Sequence, residues 1–146
     1  MSRRLRLQFF ILMAVITSAL LFSSFYHRTE SKPIHQLRIY QIPIANKEVF
    51  KTRFKDHAMR IMKKYGFHII SIWESDFNNK AEFVYLLQWT DKETMIKAWE
   101  KFMTDQEWKD IKAASAKIHG TFVDSIEDRT LTLTDFSPTQ DLLHQK

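Results

Sequence analysis

The chain has 146 residues, enough for one compact domain, with 45% hydrophobic and 27% charged residues. Its two glycines leave no room for a Gly-rich phosphate loop, and the absence of cysteine removes disulfides, thiolate nucleophiles, Cys-ligated zinc and iron–sulfur clusters. Four of the 22 basic residues (Arg3, Arg4, Arg6, Arg28) and one of the 17 acids (Glu30) precede Ser31, so most of the excess positive charge of +5 belongs to the N-terminus. The remainder is nearly balanced and carries no electrostatic footprint for nucleic acid.

Arg3, Arg4 and Arg6 stand before an uncharged run, residues 9–26, whose core is FFILMAVITSALLF. A basic start followed by an apolar block is the pattern of an export signal or membrane anchor. No clear small-x-small cleavage site follows it, which favours an uncleaved anchor. The block is too continuous for an amphipathic mitochondrial presequence. Positive residues on the N-terminal side predict Met1 inside and the domain outside, exported or membrane-anchored on the extracytoplasmic side. Residues 29–33 form a polar linker ending in proline. The expected organisation is therefore a signal or anchor with linker at 1–30, a domain at 31–138 and a tail at 139–146.

Residues 34–42 alternate as a strand, with Leu37 and Ile39 on one side and Arg38 and Tyr40 on the other. Asn46 is a candidate cap for a helix whose apolar stripe is Phe50, Phe54, His57, Ala58, Ile61, Met62 and Tyr65, closed by Gly66. Residues 67–76 read as a strand with Ile70 and Ile72 on one face and Ile69, Ser71 and Trp73 on the other. The turn at Phe77-Asn78-Asn79-Lys80 leads into a second hairpin arm, residues 81–89. Thr90-Asp91-Lys92-Glu93 and Thr104-Asp105-Gln106-Glu107 read as capping boxes with the threonines as caps. They start two helices, one with Met95, Ala98, Trp99 and Phe102, the other with Trp108, Ile111, Ser115 and Ile118. Residues 122–133 contain a last strand, clearest at 130–134 and interrupted at Glu127-Asp128-Arg129.

This order predicts an α+β, ferredoxin-like split βαβ fold: a four-stranded antiparallel sheet with its helices on one face. Small aliphatics (Leu37, Ile39, Ile70, Ile72, Val84, Leu86) suit the helix side. Arg38, Tyr40, Trp73, Phe83, Tyr85 and Trp89 then fall on the open side, and five aromatics there call for a second copy as cover, a twofold homodimer forming a dimeric α/β barrel. A one-residue shift of register inverts that assignment.

The segments HQLRIYQI (35–42), FKDHAMRIMKKYGF (54–67), IWES (72–75), AEFVYLLQW (81–89), DQEW (105–108) and TDFSP (134–138) resemble the NIPSNAP family in order and spacing over residues 34–138. Ala45-Asn46 departs from the glycine often found before the first helix, and the helix after His57 lacks a proline common in relatives. The resemblance implies a dimeric α/β barrel. Related barrels include cofactor-independent monooxygenases and haem-degrading enzymes, but the family brings no established catalytic set, and fold alone does not fix function.

His57 is the candidate catalytic residue, as acid/base or axial ligand; a hydrogen-bonded structural histidine is the competing reading. Arg38, Tyr40, His57, Trp73 and Tyr85 are candidate substrate-binding residues for an aromatic or anionic ligand; dimer packing with an ion pair, to Glu74 for example, is the alternative. His35, His68 and His119 form no metal pattern with His57. The sequence requires no cofactor. The expected partners are a second copy, a membrane through residues 9–26 if the segment is uncleaved, and a small ligand or a protein.

Overall fold

The computed structural model describes residues 32–77, 80–140 and 142–143. Their elements are β1 (Ile34–Ile42), α1 (residues 47–64), β2 (His68–Phe77), β3 (Lys80–Trp89), α2 (Lys92–Thr104), α3 (Gln106–His119) and β4 (Ser125–Thr132). The strands form one antiparallel sheet in the order β2-β3-β1-β4, the α+β, ferredoxin-like arrangement that the element order predicts. Residues 32–146 make a compact unit with a hydrophobic core of their own, as a domain does. Among the described residues no helix is long and apolar enough to cross a membrane. The apolar run at 9–26, with the anchor or signal expected there, lies outside the described residues, as do Asn78 and Asn79 of the hairpin turn.

The helices follow their apolar stripes. Phe50, Phe54, Ala58, Ile61 and Met62 of α1, and Met95, Ala98 and Phe102 of α2, are all buried. Only Trp108 is buried on α3, whereas Ile118, expected on its apolar face, is 76% exposed. A π-helical turn, Phe54–Ala58, interrupts α1. The helix closes at Gly66 (φ 80°), where the Phe67 N–H donates to Met62 O and the Gly66 N–H to Lys63 O, a Schellman motif.

Three local expectations need correction. The N-caps of α2 and α3 are Asp91 and Asp105, which accept from the Thr94 and Trp108 N–H groups at 2.7 and 3.0 Å; each lies one residue past the threonine the pattern suggested. Thr104 is the last residue of α2, and its hydroxyl donates to the carbonyls of Glu100 and Lys101. Asn46 makes no side-chain cap bond: its amide donates to His119 O and Thr121 O, tying the start of α1 to the loop before β4. Glu127-Asp128-Arg129 does not interrupt β4, which runs through it and pairs throughout with β1.

The largest correction concerns the faces of the sheet. Tyr40, Phe83, Tyr85, Leu87 and Trp89 pack into the helix-side core, so Leu37, Ile39, Val84 and Leu86 lie on the open face. Strand β2 behaves differently. Its pairing with β3 shifts between Ile69 and Ser71, a bulge that absorbs one residue. Ile69 and Ile72 therefore both reach the core, while Trp73, opposite Val84, stays on the open face and is 48% exposed.

Candidate functional site

Alternation along β1 places Gln36, Arg38 and Tyr40 on the helix side, and antiparallel pairing sets Tyr85 of β3 opposite Arg38. These side chains join one partly buried polar network. Gln36 Oε1 accepts from the indole N–H groups of Trp89 (3.1 Å) and Trp99 (2.8 Å). Its amide donates to both oxygens of Asp128 on β4, at 3.0 and 2.9 Å. Asp128 also pairs with one end of the Arg38 guanidinium, whose other end donates to the Tyr40 hydroxyl at 2.9 Å. The Tyr40 and Tyr85 hydroxyls lie 3.1 Å apart.

Two phenols share one mutual hydrogen bond, so one of their two protons remains free to donate. Arg38 Nε is buried without a partner among the described residues. Burial opposes the Arg38 charge, but the oxygens of Tyr40, Tyr85 and Asp128 more than offset it, and the guanidinium stays charged. Its carbon sits 4.6 Å from the Trp99 ring centre, a cation–π distance. Burial, reinforced by the neighbouring Tyr40, pushes the Tyr85 phenol well above its ordinary range, so it is a proton-bearing donor at neutral pH.

Beside this network lies a cavity of about 280 Å³ between sheet and helices. Arg38, Tyr40 and Tyr85 form its polar wall, and Phe54, Trp99 and Trp108 are among its aromatic walls. Its lining residues Met103 and Ile126 are 48% and 49% exposed and mark the mouth, beside the edge strand β4. An engineered apolar cavity of about 150 Å³ holds benzene, so this volume accommodates a molecule of one or two rings.

Of the five residues that sequence reasoning singled out, the fold gathers three. Trp73 is on the opposite face of the sheet, because of the β2 bulge. His57 is half-buried in the π turn, on the flank of the α1 stripe, and does not line the cavity. The ion-pair partner of Arg38 is Asp128; Glu74 instead pairs with Lys47 and Lys51. Sequence reasoning missed Gln36, Arg53, Lys112 and Asp128. Alternation on β1 signals Gln36, which falls in step with Arg38 and Tyr40; the other three depend on packing between elements distant in sequence. Among the described residues no group of three His, Asp or Glu is placed to hold a metal ion.

The fold and cavity define a ferredoxin-like α+β domain with a polar network at one wall of an aromatic pocket. Within that class the chain belongs to the NIPSNAP family, whose model matches residues 35–138. Among solved structures it is similar to an uncharacterized NIPSNAP-like domain protein from Burkholderia xenovorans (19% identity, TM-score 0.63, 79% of this chain and 97% of that one). It is also similar to a NIPSNAP family protein from Agrobacterium tumefaciens (20% identity, TM-score 0.63, 73% and 97%). SnoaB, a cofactor-independent oxygenase from Streptomyces nogalater, aligns at 15% identity and a TM-score of 0.48 over 74% of this chain and 99% of its own. Comparison with curated proteins gives no match.

Proposed function

We propose that this NIPSNAP-family protein binds a small, flat, largely apolar ligand in the cavity and orients it by a hydrogen-bond acceptor directed at Arg38, Tyr40 and Tyr85. The observation that carries this reading is the convergence of a charged guanidinium and one unshared phenol proton on an aromatic-walled space of about 280 Å³. Pockets of this make-up, apolar with a few directed polar groups, are the usual form of small-molecule sites.

In this reading the working unit is a homodimer. Leu37, Ile39, Val84 and Leu86 with the more exposed Trp73 and Leu131 give the open sheet face an apolar surface that a second sheet of the same kind covers well. The apolar segment at 9–26 tethers or exports the dimer with its domain on the extracytoplasmic side.

An enzymatic reading has one observation in its favour. The same donors would stabilise negative charge developing on a ligand oxygen, as a cofactor-independent oxygenase requires. A haem-handling role draws less support, since His57 lies off the cavity and no histidine is among its lining residues.

Native mass spectrometry on residues 32–146 tests both halves of the proposal. The expected result is a dimer that retains an aromatic ligand, lost in Arg38→Met. A monomer that neither retains nor takes up aromatic compounds overturns it.

A further inference from the structure

The cavity has a second pole, and its charge differs from the first. At the Arg38 pole the guanidinium is neutralised by Asp128, so that wall offers donors but little net charge. Arg53 of α1 and Lys112 of α3 also line the cavity, and neither has a side-chain hydrogen bond or carboxylate partner among the described residues. The Arg53 guanidinium carbon is 3.8 Å from the Phe122 ring centre and 5.5 Å from that of Trp108. Lys112 Nζ is 5.8 Å from the same Trp108 ring. Two cations thus flank one indole. Burial opposes both charges, and Lys112 is further disfavoured by Arg53 and Lys109.

The carboxylates around the first turns of α3 are engaged elsewhere. Glu107 pairs with Arg60, Asp105 takes Tyr65 and Lys64, and Asp110 accepts from Gln106. Like charges held together, part-buried and uncompensated are costly unless an anion joins them.

We infer that Arg53 and Lys112 form an anion-binding pole, and that the ligand is an aromatic acid: a carboxylate or sulfonate between these cations, its rings against Trp108 and Phe54, and a neutral acceptor at the Arg38–Tyr40–Tyr85 wall. This inference rests on the cavity being a ligand site and adds the charge and polarity of what it takes. A guanidinium and an ammonium converging on one acid group is a familiar anion clamp, with arginine supplying the fork and lysine the point charge.

The test uses residues 32–146 and two fluorescent dyes with the same two rings, naphthalene-1-sulfonate and its uncharged parent naphthalene. The expected result is that the sulfonate binds about tenfold or more tightly than the parent, as charge-assisted hydrogen bonds imply. Arg53→Met and Lys112→Met each remove most of that preference, weakening binding of the sulfonate far more than binding of the neutral dye. Ile126→Trp, at the exposed mouth, blocks both dyes. Equal affinity for the two dyes, or a sulfonate preference that survives both cation variants, overturns the anion pole while leaving the cavity as a ligand site. Failure of both dyes to bind, or binding that Ile126→Trp does not weaken, overturns the cavity reading itself.

Discussion

The hydroxyls of Tyr40 and Tyr85 meet at 3.1 Å although the two residues are diagonal, not opposite, across the β1–β3 pairing; Tyr85 faces Arg38 in the register. That offset lets one guanidinium and two phenols crowd a single point of the cavity wall. Because the folded Tyr85 phenol is held protonated well above its ordinary range, the unfolded chain ionises first as pH rises past about 10. Tyr85 therefore contributes stability that is fully present below pH 10 and lost above it. Chemical denaturation at pH 9 to 11 should show a steeper alkaline loss for the wild-type protein than for Tyr85→Phe. Equal slopes would show that Tyr85 ionises as freely folded as unfolded.

Asp128 closes the network from the edge strand, accepting from both Gln36 and Arg38. Its replacement by alanine leaves a mostly buried guanidinium and a buried amide without their acceptor. With Asp128 itself 42% exposed, the expected loss is about 1.5–2 kcal/mol, the lower part of the range for hydrogen bonds to charged groups. Urea unfolding should show a lower midpoint at an unchanged m-value.

Asp105 joins three elements: it caps α3 through the Trp108 N–H, takes the Tyr65 hydroxyl at 2.6 Å and pairs with Lys64 at 3.0 Å. These donors, led by Tyr65, hold its carboxyl well below the usual range. A depressed folded value contributes stability above the unfolded value of about 3.9, and that contribution is lost as pH falls further. Asp105→Ala should therefore melt lower than wild type at pH 7, and the gap should narrow progressively below about pH 4. A gap independent of pH would assign the whole effect to packing.

Gly66 adopts φ 80°, and a Cβ added there meets nothing within 4 Å. The penalty of Gly66→Ala should be backbone strain alone, about 1 kcal/mol, with no change in ligand binding. A much larger loss in thermal unfolding would point to a contact that the Schellman turn does not contain.

The fold was legible because each element has its own period and its own stop signal. The assignment of faces was not. Strand β3 is largely apolar on both sides and β1 mixes apolar and polar residues on both, so periodicity shows only that two faces exist. The deciding factor is volume: helices stand well off the sheet, and Phe83, Tyr85 and Trp89 fill that gap where smaller side chains would leave voids. On β2, one bulged residue puts Ile69 and Ile72 on the same side, which strict alternation forbids. Arg38, Tyr40 and Tyr85 could be grouped from sequence because alternation and cross-strand pairing fix their relation. Arg53 and Lys112 could not, since their shared wall exists only through the packing of α3 against α1.

The exposed rim of the cavity separates two kinds of inheritance. Its floor belongs to the core: Tyr85, Phe54 and Ala58 are buried, and changing them unsettles the whole domain. Its lip belongs to the surface, where Met103 and Ile126 support little else. Descendants of such a chain can alter what enters the pocket by substitutions at the lip without first finding a new way to fold.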